Sequence, residues 1–411
     1  MGANAEGKDR ILVMASTFPR WQRDSQPRFV LDLCKQLNRK YDITVVAPHC
    51  QGALRREKIE GIEVVRFKYA PHCLEGLAYD GGMLNRLRQK PVRALLLPAF
   101  FIAMFMATLK IAKKNDTKLL HAHWLVPQGI VAVLVKKFLF KRSMNLVVTS
   151  HGVDLYSLKG KLWENIKKWV IRNSDMITVV STQMKGKILQ FEPDSKNKIK
   201  VAPMGADLQF LFRPAPKKTK RNEPLIVFVG RLVEKKGVCY LIRALIEVRA
   251  IFPNAKLCIV GDGPLRRNLE CLSKELKLQE AVQFAGAVQQ IDLPDYYRSA
   301  HICVFPFVET KSGDQEGLGL VVVEAMGCGS PVIATSIDAL QDTVLDNKAA
   351  KLCQPKSSRS LADTIVAMLK EDLDDLKLFT DINRSFVVEN FDWSRAADKY
   401  IAIFNDFAEK Q

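Results

Sequence analysis

The stretch EGLGLVVVEAMGCGSPVIATS, Glu316–Ser336, places a turn, a helix and a strand in immediate succession. Its first two glycines permit a tight turn, and the apolar run from Leu320 predicts a short helix that ends before Pro331. The β-branched run after Pro331 is typical of a buried strand. A helix that leads directly into a buried strand is the unit from which parallel α/β sheets are built.

The same alternation of strands and helical patterns runs along most of the chain. The strand-like segments are RILVMAS, YDITVVAP, KLLHAHW, NLVVTSHG, DMITVVS and KIKVAPMG, followed by LIVFVGRL, AKLCIVGDG, AVQFAGAV, HICVFPF and PVIATS. Residues 211–224 separate the two series; they are rich in Pro and Lys, show no period and are predicted to be a linker. We therefore predict an α/β protein with two doubly wound, Rossmann-like domains, residues 1–210 and 225–390.

Length and composition indicate a globular, intracellular protein. The chain has 411 residues, more than one hydrophobic core usually serves, and 48% of them are apolar. Its nine cysteines are scattered without a Cys-x-x-Cys pair, which favours the reducing cytosol over a zinc or redox site. The apolar run that follows Arg10 is too short for a signal peptide. We expect a cytoplasmic protein.

The charge is distributed unevenly between the two halves. Residues 1–200 hold 35 Lys and Arg against 16 Asp and Glu, a net charge of +19, whereas residues 201–411 hold 27 against 28, a net charge of −1. Such polarity indicates that the first domain meets an anionic partner, such as a membrane surface, a diphosphate lipid or nucleic acid. A solvated basic face without a partner is the alternative.

Two cations follow the first strand of the second series. Arg231 and Lys236 flank a loop that is closed by Gly237, and at the carboxyl end of a strand they suit a diphosphate whose negative charge grows as it leaves. The alternative is an ordinary charged surface loop. The nearby GDGPLR, from Gly261, is a weak dinucleotide fingerprint because Arg266 stands where the third glycine belongs.

Two carboxylates flank the predicted helix at Leu320. The backbone N–H groups of Gly317, Leu318, Gly319 and Leu320 would lie at its N-terminus and form an anion site. Carboxylates beside such a site suit sugar hydroxyls, which donate hydrogen bonds to them, so we predict that Glu316 and Glu324 each bind a sugar. The alternative, two surface glutamates, is disfavoured for Glu324 because an unpartnered carboxylate in apolar surroundings is costly.

Taken together these motifs resemble a known family, the retaining nucleotide-sugar glycosyltransferases of family GT4 with the GT-B fold. The resemblance covers nearly the whole chain and includes Glu-x7-Glu, Gly-Arg-Leu…Lys-Gly, TSHGVDLY, VAPMGADLQFLFRP and VVENFDWSRAADKYIAIF. It implies two domains that face each other across a cleft, with a closing helix at 391–411 that crosses back to the first domain. It also implies a nucleoside-diphosphate sugar as the donor substrate and no catalytic metal or other cofactor.

The resemblance also assigns roles to residues. Glu316 would lie near the transferred sugar and Glu324 at the ribose, with His151 beside the donor sugar. The nucleotide base would contact the backbone near Val288. The remaining donor residues that it implies are Gly230, Arg231 and Lys236. Two glycine pairs of the family are missing, one in the first loop and one at Asp338 and Ala339, so contacts near those loops do not carry over.

Metal binding is not predicted. His121 and His123 alternate on a strand, but two imidazoles without a nearby carboxylate or thiolate make a poor metal site. The acidic run DLDD, Asp372–Asp375, lies in a charged helical pattern rather than at a strand end.

The most apolar segment is Val92–Lys114, which contains Pro98 and is bracketed by basic residues. Its apolar run is shorter than a membrane span requires. Two interpretations stay open: a buried helix of the first domain, or an interfacial helix anchored by the flanking Lys and Arg.

Two classes of function are consistent with these features. The first is a retaining glycosyltransferase whose acceptor is a lipid-linked, polysaccharide or glycolipid precursor at the cytoplasmic membrane face, or else a soluble molecule. The second is a protein that binds nucleic acid or an anionic surface, although the sequence contains no recognisable nucleic-acid-binding motif. The motif order favours the enzyme.

Overall fold

In the computed structural model, residues 8–22, 24, 26–79, 82–139, 144–215 and 223–408 are described. The chain forms two compact units, residues 1–203 with 396–411, and residues 204–395. The second unit thus begins at Met204, ahead of the predicted linker 211–224. Part of that linker, residues 216–222, lies outside the described residues, while Phe212 is fully buried in the second unit.

The first unit contains a single eight-stranded sheet in its described part. Its strands are β1 (Arg10–Met14), β2 (Asp42–Pro48), β3 (Arg56–Ile59), β4 (Ile62–Phe67), β5 (Leu119–His123), β6 (Asn145–Ser150), β7 (Met176–Val179) and β8 (Ile199–Val201). They lie in the order β3-β4-β2-β1-β5-β6-β7-β8, and all pairs are parallel except the β3–β4 hairpin. The predicted doubly wound sheet is confirmed, with one antiparallel edge strand added.

Helices cover this sheet and bury its strands. They are α1 (Phe29–Leu37), α2 (Met83–Gln89), α3 (Leu97–Lys114), α4 (Ile130–Phe138), α5 (Val153–Tyr156), α6 (Lys161–Arg172) and α7 (Thr182–Phe191). All five residues of β5 are buried, as expected for a parallel strand covered on both faces. The long apolar segment enters this layer as α3, whose Phe100 packs edge-on against Phe67 and Tyr69.

The last helix, α14 (Trp393–Ala408), joins the first unit from Ala396 onward. Tyr400 is fully buried there, and its hydroxyl donates a hydrogen bond to the carbonyl oxygen of Ala202 at 3.2 Å. Phe404 packs against Tyr41 with ring centroids 5.8 Å apart. The predicted return of the C-terminal helix to the first domain is therefore confirmed.

The second unit contains a six-stranded parallel sheet. Its strands are β9 (Leu225–Val229), β10 (Lys256–Val260), β11 (Val282–Gly286), β12 (Ile302–Phe305), β13 (Val332–Thr335) and β14 (Ala350–Cys353). Its helices are α8 (Val238–Ile251), α9 (Arg266–Glu275), α10 (Leu293–Ser299), α11 (Leu320–Gly327), α12 (Ser358–Leu369) and α13 (Leu373–Phe391). The strand order is β11-β10-β9-β12-β13-β14, which again is doubly wound.

The strand order defines where each sheet can bind a ligand. In the second sheet the chain runs from β9 to β10 on one side, while β12 pairs with β9 on the other side. This reversal is a topological switch point, and in open α/β sheets ligands bind at the carboxyl edge at such a point, which here is bordered by the loops after β9 and β12. The corresponding point of the first sheet lies between β1 and β5.

Gly261 allows β10 to end close to the end of β9. Its φ is +129°, and a Cβ atom at this position would lie 2.0 Å from the carbonyl oxygen of Gly230. Its N–H donates to the carbonyl oxygen of Gly286 at 2.7 Å. The glycine therefore serves close backbone packing at the strand ends, in agreement with the interpretation of GDGP as a turn from strand to helix.

We predict that Gly261→Ala lowers the free energy of unfolding by about 3 kcal/mol, because the clash is with backbone and the φ angle is unfavourable for alanine. Gly186→Ala is the matched control. It lies inside α7 with open space around its Cβ position, and should stabilise by about 0.5 to 1 kcal/mol. Urea unfolding of both variants measures the difference; equal effects would contradict the close approach.

Candidate functional site

The loop after β9 carries the predicted cations. Strand β9 is buried up to its last residue, Val229, and Gly230 and Arg231 follow at its carboxyl end. A short 3₁₀ turn, Glu234–Lys236, then brings the chain to Gly237, whose φ is +63°. A Cβ atom there would lie 1.8 Å from the carbonyl oxygen of Pro306. Glycine thus lets this loop pack directly on the chain that leaves β12.

The loop after β12 carries the predicted carboxylate and anion site. It passes through Glu316 and turns into α11 at Gly319, which has a φ of +77°. A Cβ atom on Gly319 would lie 2.6 Å from Leu340. The carbonyl oxygen of the buried Leu318 accepts a hydrogen bond from Thr343 at 3.2 Å. The turn is therefore fixed by the core beneath it.

Lys236 and Glu316 meet at the switch point. The Lys236 Nζ atom lies 2.8 Å from Oε2 of Glu316, and the two side chains are only 12% and 18% exposed. The same ammonium lies 4.2 Å from the centre of the Phe307 ring, within cation–π range. The sequence assigned both residues to one site, and the structure brings them into direct contact. That they form an ion pair with each other was not predicted.

The electrostatics of this pair keep Glu316 ionised. Burial by itself raises the pKa of Glu316, but the charges of Lys236 and Lys235 and the hydrogen bonds from Lys236 and the Gly317 N–H outweigh it. The pKa of Glu316 falls to about 2 as a result. Lys235 is held beside the pair by Asp314, with Nζ and Oδ1 3.2 Å apart. Near neutral pH the carboxylate can accept hydrogen bonds but cannot donate one.

Helix α11 begins without a side-chain cap. Gly319 occupies the N-cap position and offers no side-chain acceptor to the first-turn N–H groups. The partial positive charge of a helix N-terminus thus faces the loop that carries Glu316. Gly317, Leu318, Gly319 and Leu320 occupy the positions that the sequence predicts for an anion site.

Glu324 is buried and already has a hydrogen-bond partner within the second unit. It is a buried residue of α11, and its Oε2 atom accepts a hydrogen bond from the Tyr297 hydroxyl on α10 at 2.8 Å. Burial, and then the charge of Glu324, raise the pKa of Tyr297 well above its ordinary value, so the hydroxyl remains a donor. Tyr297 was not predicted, because nothing in the sequence marks which aromatic residue of a neighbouring helix faces the Glu324 carboxylate.

The remaining donor predictions lie on the same edge of the second sheet. Val288 is partly exposed in the loop after β11. Arg231 is partly exposed in the loop after β9, and the next residue, Leu232, donates its N–H to the carbonyl oxygen of Asp262 at 2.9 Å. The loops after β9, β10 and β11 thus adjoin one another through backbone contacts.

His151 lies in the first unit, directly after β6. Its Nε2 atom is 2.9 Å from Nδ1 of His123, and the two rings stack with centroids 5.1 Å apart. Phe29 and Trp124 pack around the same ring at 5.0 and 4.9 Å. The contact between His123 and His151 was not predicted from the alternation of His121 and His123 on β5. It depends on the pairing of β5 with β6, which the sequence does not show.

Burial keeps all three imidazoles neutral. It lowers the pKa of His121 and of His151 to about 3, with His121 adding to the effect on His151. Burial, and then the two neighbouring imidazoles, lower the pKa of His123 well below its ordinary value. His121 is anchored inside the core, with Nε2 2.8 Å from the Thr149 hydroxyl. At neutral pH His151 is thus an uncharged hydrogen-bonding group.

The acidic run after residue 371 has a local structural role. The Asp372 side chain is the N-cap of α13 and accepts hydrogen bonds from the N–H groups of Asp374 and Asp375. This arrangement is that of a helix cap.

Two family models match the chain almost end to end. The one described as Glycosyltransferase Family 4 matches residues 26–210, and the one described as Glycosyl transferases group 1 matches residues 212–385. These matches correspond to the two series of strands and helices.

Curated relatives align over most of their length. The chain is 25% identical over 393 residues to a GDP-mannose-dependent alpha-(1-6)-phosphatidylinositol monomannoside mannosyltransferase of Mycolicibacterium smegmatis, covering 93% of this chain and 95% of that protein. It is 24% identical to N-acetyl-alpha-D-glucosaminyl L-malate synthase of Bacillus anthracis, covering 75% of this chain and 80% of that protein.

Solved structures share the fold. The sucrose-phosphate synthase of Thermosynechococcus elongatus superposes with a TM-score of 0.77 at 23% identity, covering 98% of this chain and all of that chain. Anabaena HepE, solved in complex with UDP-glucose, superposes with a TM-score of 0.72 at 18% identity, covering 97% of this chain and 99% of that chain. At these identities the likeness concerns the fold alone.

The Lys236–Glu316 pair generates a prediction about stability. We expect a double-mutant cycle of Lys236→Met and Glu316→Gln to give a coupling free energy of about 1 to 3 kcal/mol, measured by urea unfolding. The folded pKa of Glu316 lies below the unfolded value of about 4.3. The coupling should therefore be complete above that pH and decline as pH falls through the folded pKa. A coupling of zero at neutral pH would contradict the pair.

Proposed function

The chain belongs to Glycosyltransferase Family 4, and from this premise we propose that it transfers a sugar from a nucleoside-diphosphate sugar to an acceptor with retention at the anomeric carbon. The observation that carries the proposal is the Lys236–Glu316 ion pair at the switch point of the second sheet, next to the uncapped start of α11. Cation, carboxylate and helix N-terminus are the three groups that a sugar diphosphate requires: two for the phosphates and one for hydroxyl groups.

The phosphates are assigned to Arg231, Lys236 and the start of α11. A lysine ammonium has three donors, so Lys236 can keep its bond to Glu316 while another N–H binds a phosphate oxygen. As the glycosidic bond breaks, negative charge grows on the departing diphosphate, and fixed cations stabilise that charge more than they stabilise the bound donor. Gly230 leaves room for the diphosphate at the end of β9.

The sugars are assigned to the two glutamates. Glu316 is ionised and accepts hydrogen bonds from hydroxyl groups of the transferred sugar. Glu324 is assigned to the ribose, with the Tyr297 hydroxyl orienting its carboxylate. The nucleotide base is assigned to the backbone near Val288.

His151 keeps the role that the family resemblance gives it, as a hydrogen-bonding partner of the donor sugar. Its neutral state suits that role, because an uncharged imidazole can donate or accept without repelling the charge that develops on the sugar. The His123 ring fixes the orientation of His151 through their shared hydrogen bond. The proposal requires no metal and no other cofactor.

The acceptor is proposed to be a lipid-linked or glycolipid precursor at the cytoplasmic face of the membrane. The basic first half of the chain supports this, as does a relative whose name includes phosphatidylinositol monomannoside. Pro91–Lys114 is the one helical segment in the described part of the chain that is long and apolar enough to cross a membrane. One of its faces is nevertheless core, since Phe100, Met104 and Thr108 are fully buried.

The opposite face of this segment is apolar and exposed. We define the apolar face by its exposed large side chains. They are Val92, Leu95, Ile102 and Met106, and on the adjacent helix α4 Leu134 and Phe138 are exposed as well. Ile102 and Met106 are 63% and 57% exposed one helical turn apart, and Lys113 lies 5.3 Å over the Phe138 ring. An apolar face bordered by lysines is typical of a helix that lies in the membrane interface. The buried face of the segment thus agrees with the interpretation as a core helix, and the exposed face agrees with the interpretation as an interfacial helix.

For sugar transfer we predict that Glu316→Gln loses at least about tenfold in turnover without unfolding, since a charge-assisted hydrogen bond contributes roughly 1.5 to 3 kcal/mol. Glu309→Gln, exposed in the same loop, is the matched control and should retain activity. A screen of UDP-, GDP- and ADP-sugars identifies the donor, with released nucleotide as the readout. Full turnover by folded Glu316→Gln would overturn the assignment.

For membrane association we predict flotation with anionic liposomes that weakens as salt increases, since each basic residue near the surface contributes on the order of 1 kcal/mol. Ile102→Ser combined with Met106→Ser should reduce flotation, because the apolar face inserts shallowly. Ile251→Ser, an exposed isoleucine of the second unit, is the control. Equal absence of binding to anionic and neutral liposomes would indicate a soluble acceptor.

A further inference from the structure

A further polar cluster, made of residues not discussed above, lies at the carboxyl edge of the first sheet. His49 follows β2 directly, while His72 and Glu75 bound a short turn in the chain that follows β4. β2 and β4 are parallel neighbours in which Pro48 pairs with Phe67, so both segments emerge from the same edge. We call these three residues the His49–Glu75 cluster.

The three side chains converge on a common point. Nδ1 of His49 lies 2.7 Å from Oε2 of Glu75, and Nδ1 of His72 lies 3.7 Å from the same oxygen. One nitrogen or oxygen atom from each residue falls within 4.8 Å of the other two, the only such group of three found among the described residues. Three ligand atoms this close together could hold one metal ion with small shifts of the side chains.

The hydrogen bond on the far side of His49 fixes which ring nitrogen faces Glu75. Nε2 lies 3.0 Å from the carbonyl oxygen of Ala53, and because a carbonyl only accepts, Nε2 must carry a proton. Nδ1 then faces the Glu75 carboxylate oxygen at 2.7 Å, and a proton or a metal ion must lie between these two atoms because a bare nitrogen lone pair and a carboxylate repel each other. A backbone carbonyl on the second ring nitrogen is also how histidine ligands are usually oriented.

Glu75 adds an independent observation. Its side chain is fully buried, and among the described residues its second oxygen, Oε1, has no hydrogen-bond partner. A buried carboxylate with an unsatisfied oxygen is costly, and a cation bound between both oxygens and the two imidazoles would remove that cost.

We propose that the His49–Glu75 cluster binds a zinc ion through Nδ1 of His49, Nδ1 of His72 and the Glu75 carboxylate, with the fourth position taken by water. Two imidazoles and one carboxylate suit Zn²⁺, whereas Mg²⁺ and Ca²⁺ prefer oxygen ligands alone. His72 is 59% exposed and gives the ion a path from solvent. The ion ties the turn after β2 to the turn after β4.

This inference is independent of the proposed sugar transfer. It departs from the prediction that the chain binds no metal, which considered only His121, His123 and paired aspartates. The cluster escaped sequence analysis because His49 is far along the chain from the other two residues and no motif spacing connects them. Only the pairing of β2 with β4 brings them together.

The test uses the full-length protein, stripped of metal with a chelator and titrated with zinc chloride. We expect one zinc per chain by elemental analysis and a higher melting temperature with zinc. His72→Ala, which removes an exposed ligand and should fold normally, and Glu75→Gln should each weaken zinc binding by at least about tenfold. Cys73→Ser is the matched control, since this exposed thiol lies between the two ligands in sequence.

The outcomes separate the alternatives. Loss of zinc binding in His72→Ala and Glu75→Gln, with binding retained in Cys73→Ser, supports the site. Binding that follows Cys73 alone indicates an adventitious thiol contact and overturns it. If the native protein binds no zinc, or both ligand variants bind as well as the native protein, His49 and Glu75 form a simple hydrogen-bonded pair and the proposal is wrong.

Discussion

The contact between Lys236 and Glu316 is the interaction on which the account of this protein depends. It joins the loop after β9 to the loop after β12 at the one place in the second sheet where the direction of winding reverses. A buried charge pair is costly unless each member has further partners. Phe307 and the Gly317 N–H supply them here, so the pair is held ready for a charged ligand.

Close backbone packing makes that contact possible. Gly237 and Gly261 let adjacent loops approach to distances that no side chain would permit, because their Cβ atoms would meet the carbonyl oxygens of Pro306 and Gly230. The positions of these loops are thus fixed by close packing at the ends of the strands. The same principle holds in the first unit, where β5 and β6 set His123 beside His151. In both places, residues at the ends of neighbouring parallel strands are brought together by the pairing of those strands.

The alternation of strands and helices was sufficient to predict two doubly wound sheets. The Glu-x7-Glu and Gly-Arg-Leu segments predicted that Glu316 and Lys236 belong to one site, and the structure places their side chains 2.8 Å apart. What sequence could not supply was pairing across long separations. The Tyr297 hydroxyl on Glu324, the neighbours of His151 and the His49–Glu75 cluster all depend on which strands or helices lie side by side. The β3–β4 hairpin was missed because its first strand is short and polar. The sequence left open whether α3 is buried or interfacial, because its exposed face is as apolar as its buried one.

The most direct test of the diphosphate site is thermal unfolding of the full-length protein with UDP, GDP and ADP, in the native chain and in Lys236→Met. A ligand that binds only the folded state must raise the melting temperature. Lys274→Met, which removes an exposed lysine of α9, is the matched control. We predict that one nucleotide stabilises the native chain and the control alike and that Lys236→Met loses this effect. Stabilisation of Lys236→Met equal to that of the native chain, or stabilisation by none of the three nucleotides, would contradict the account.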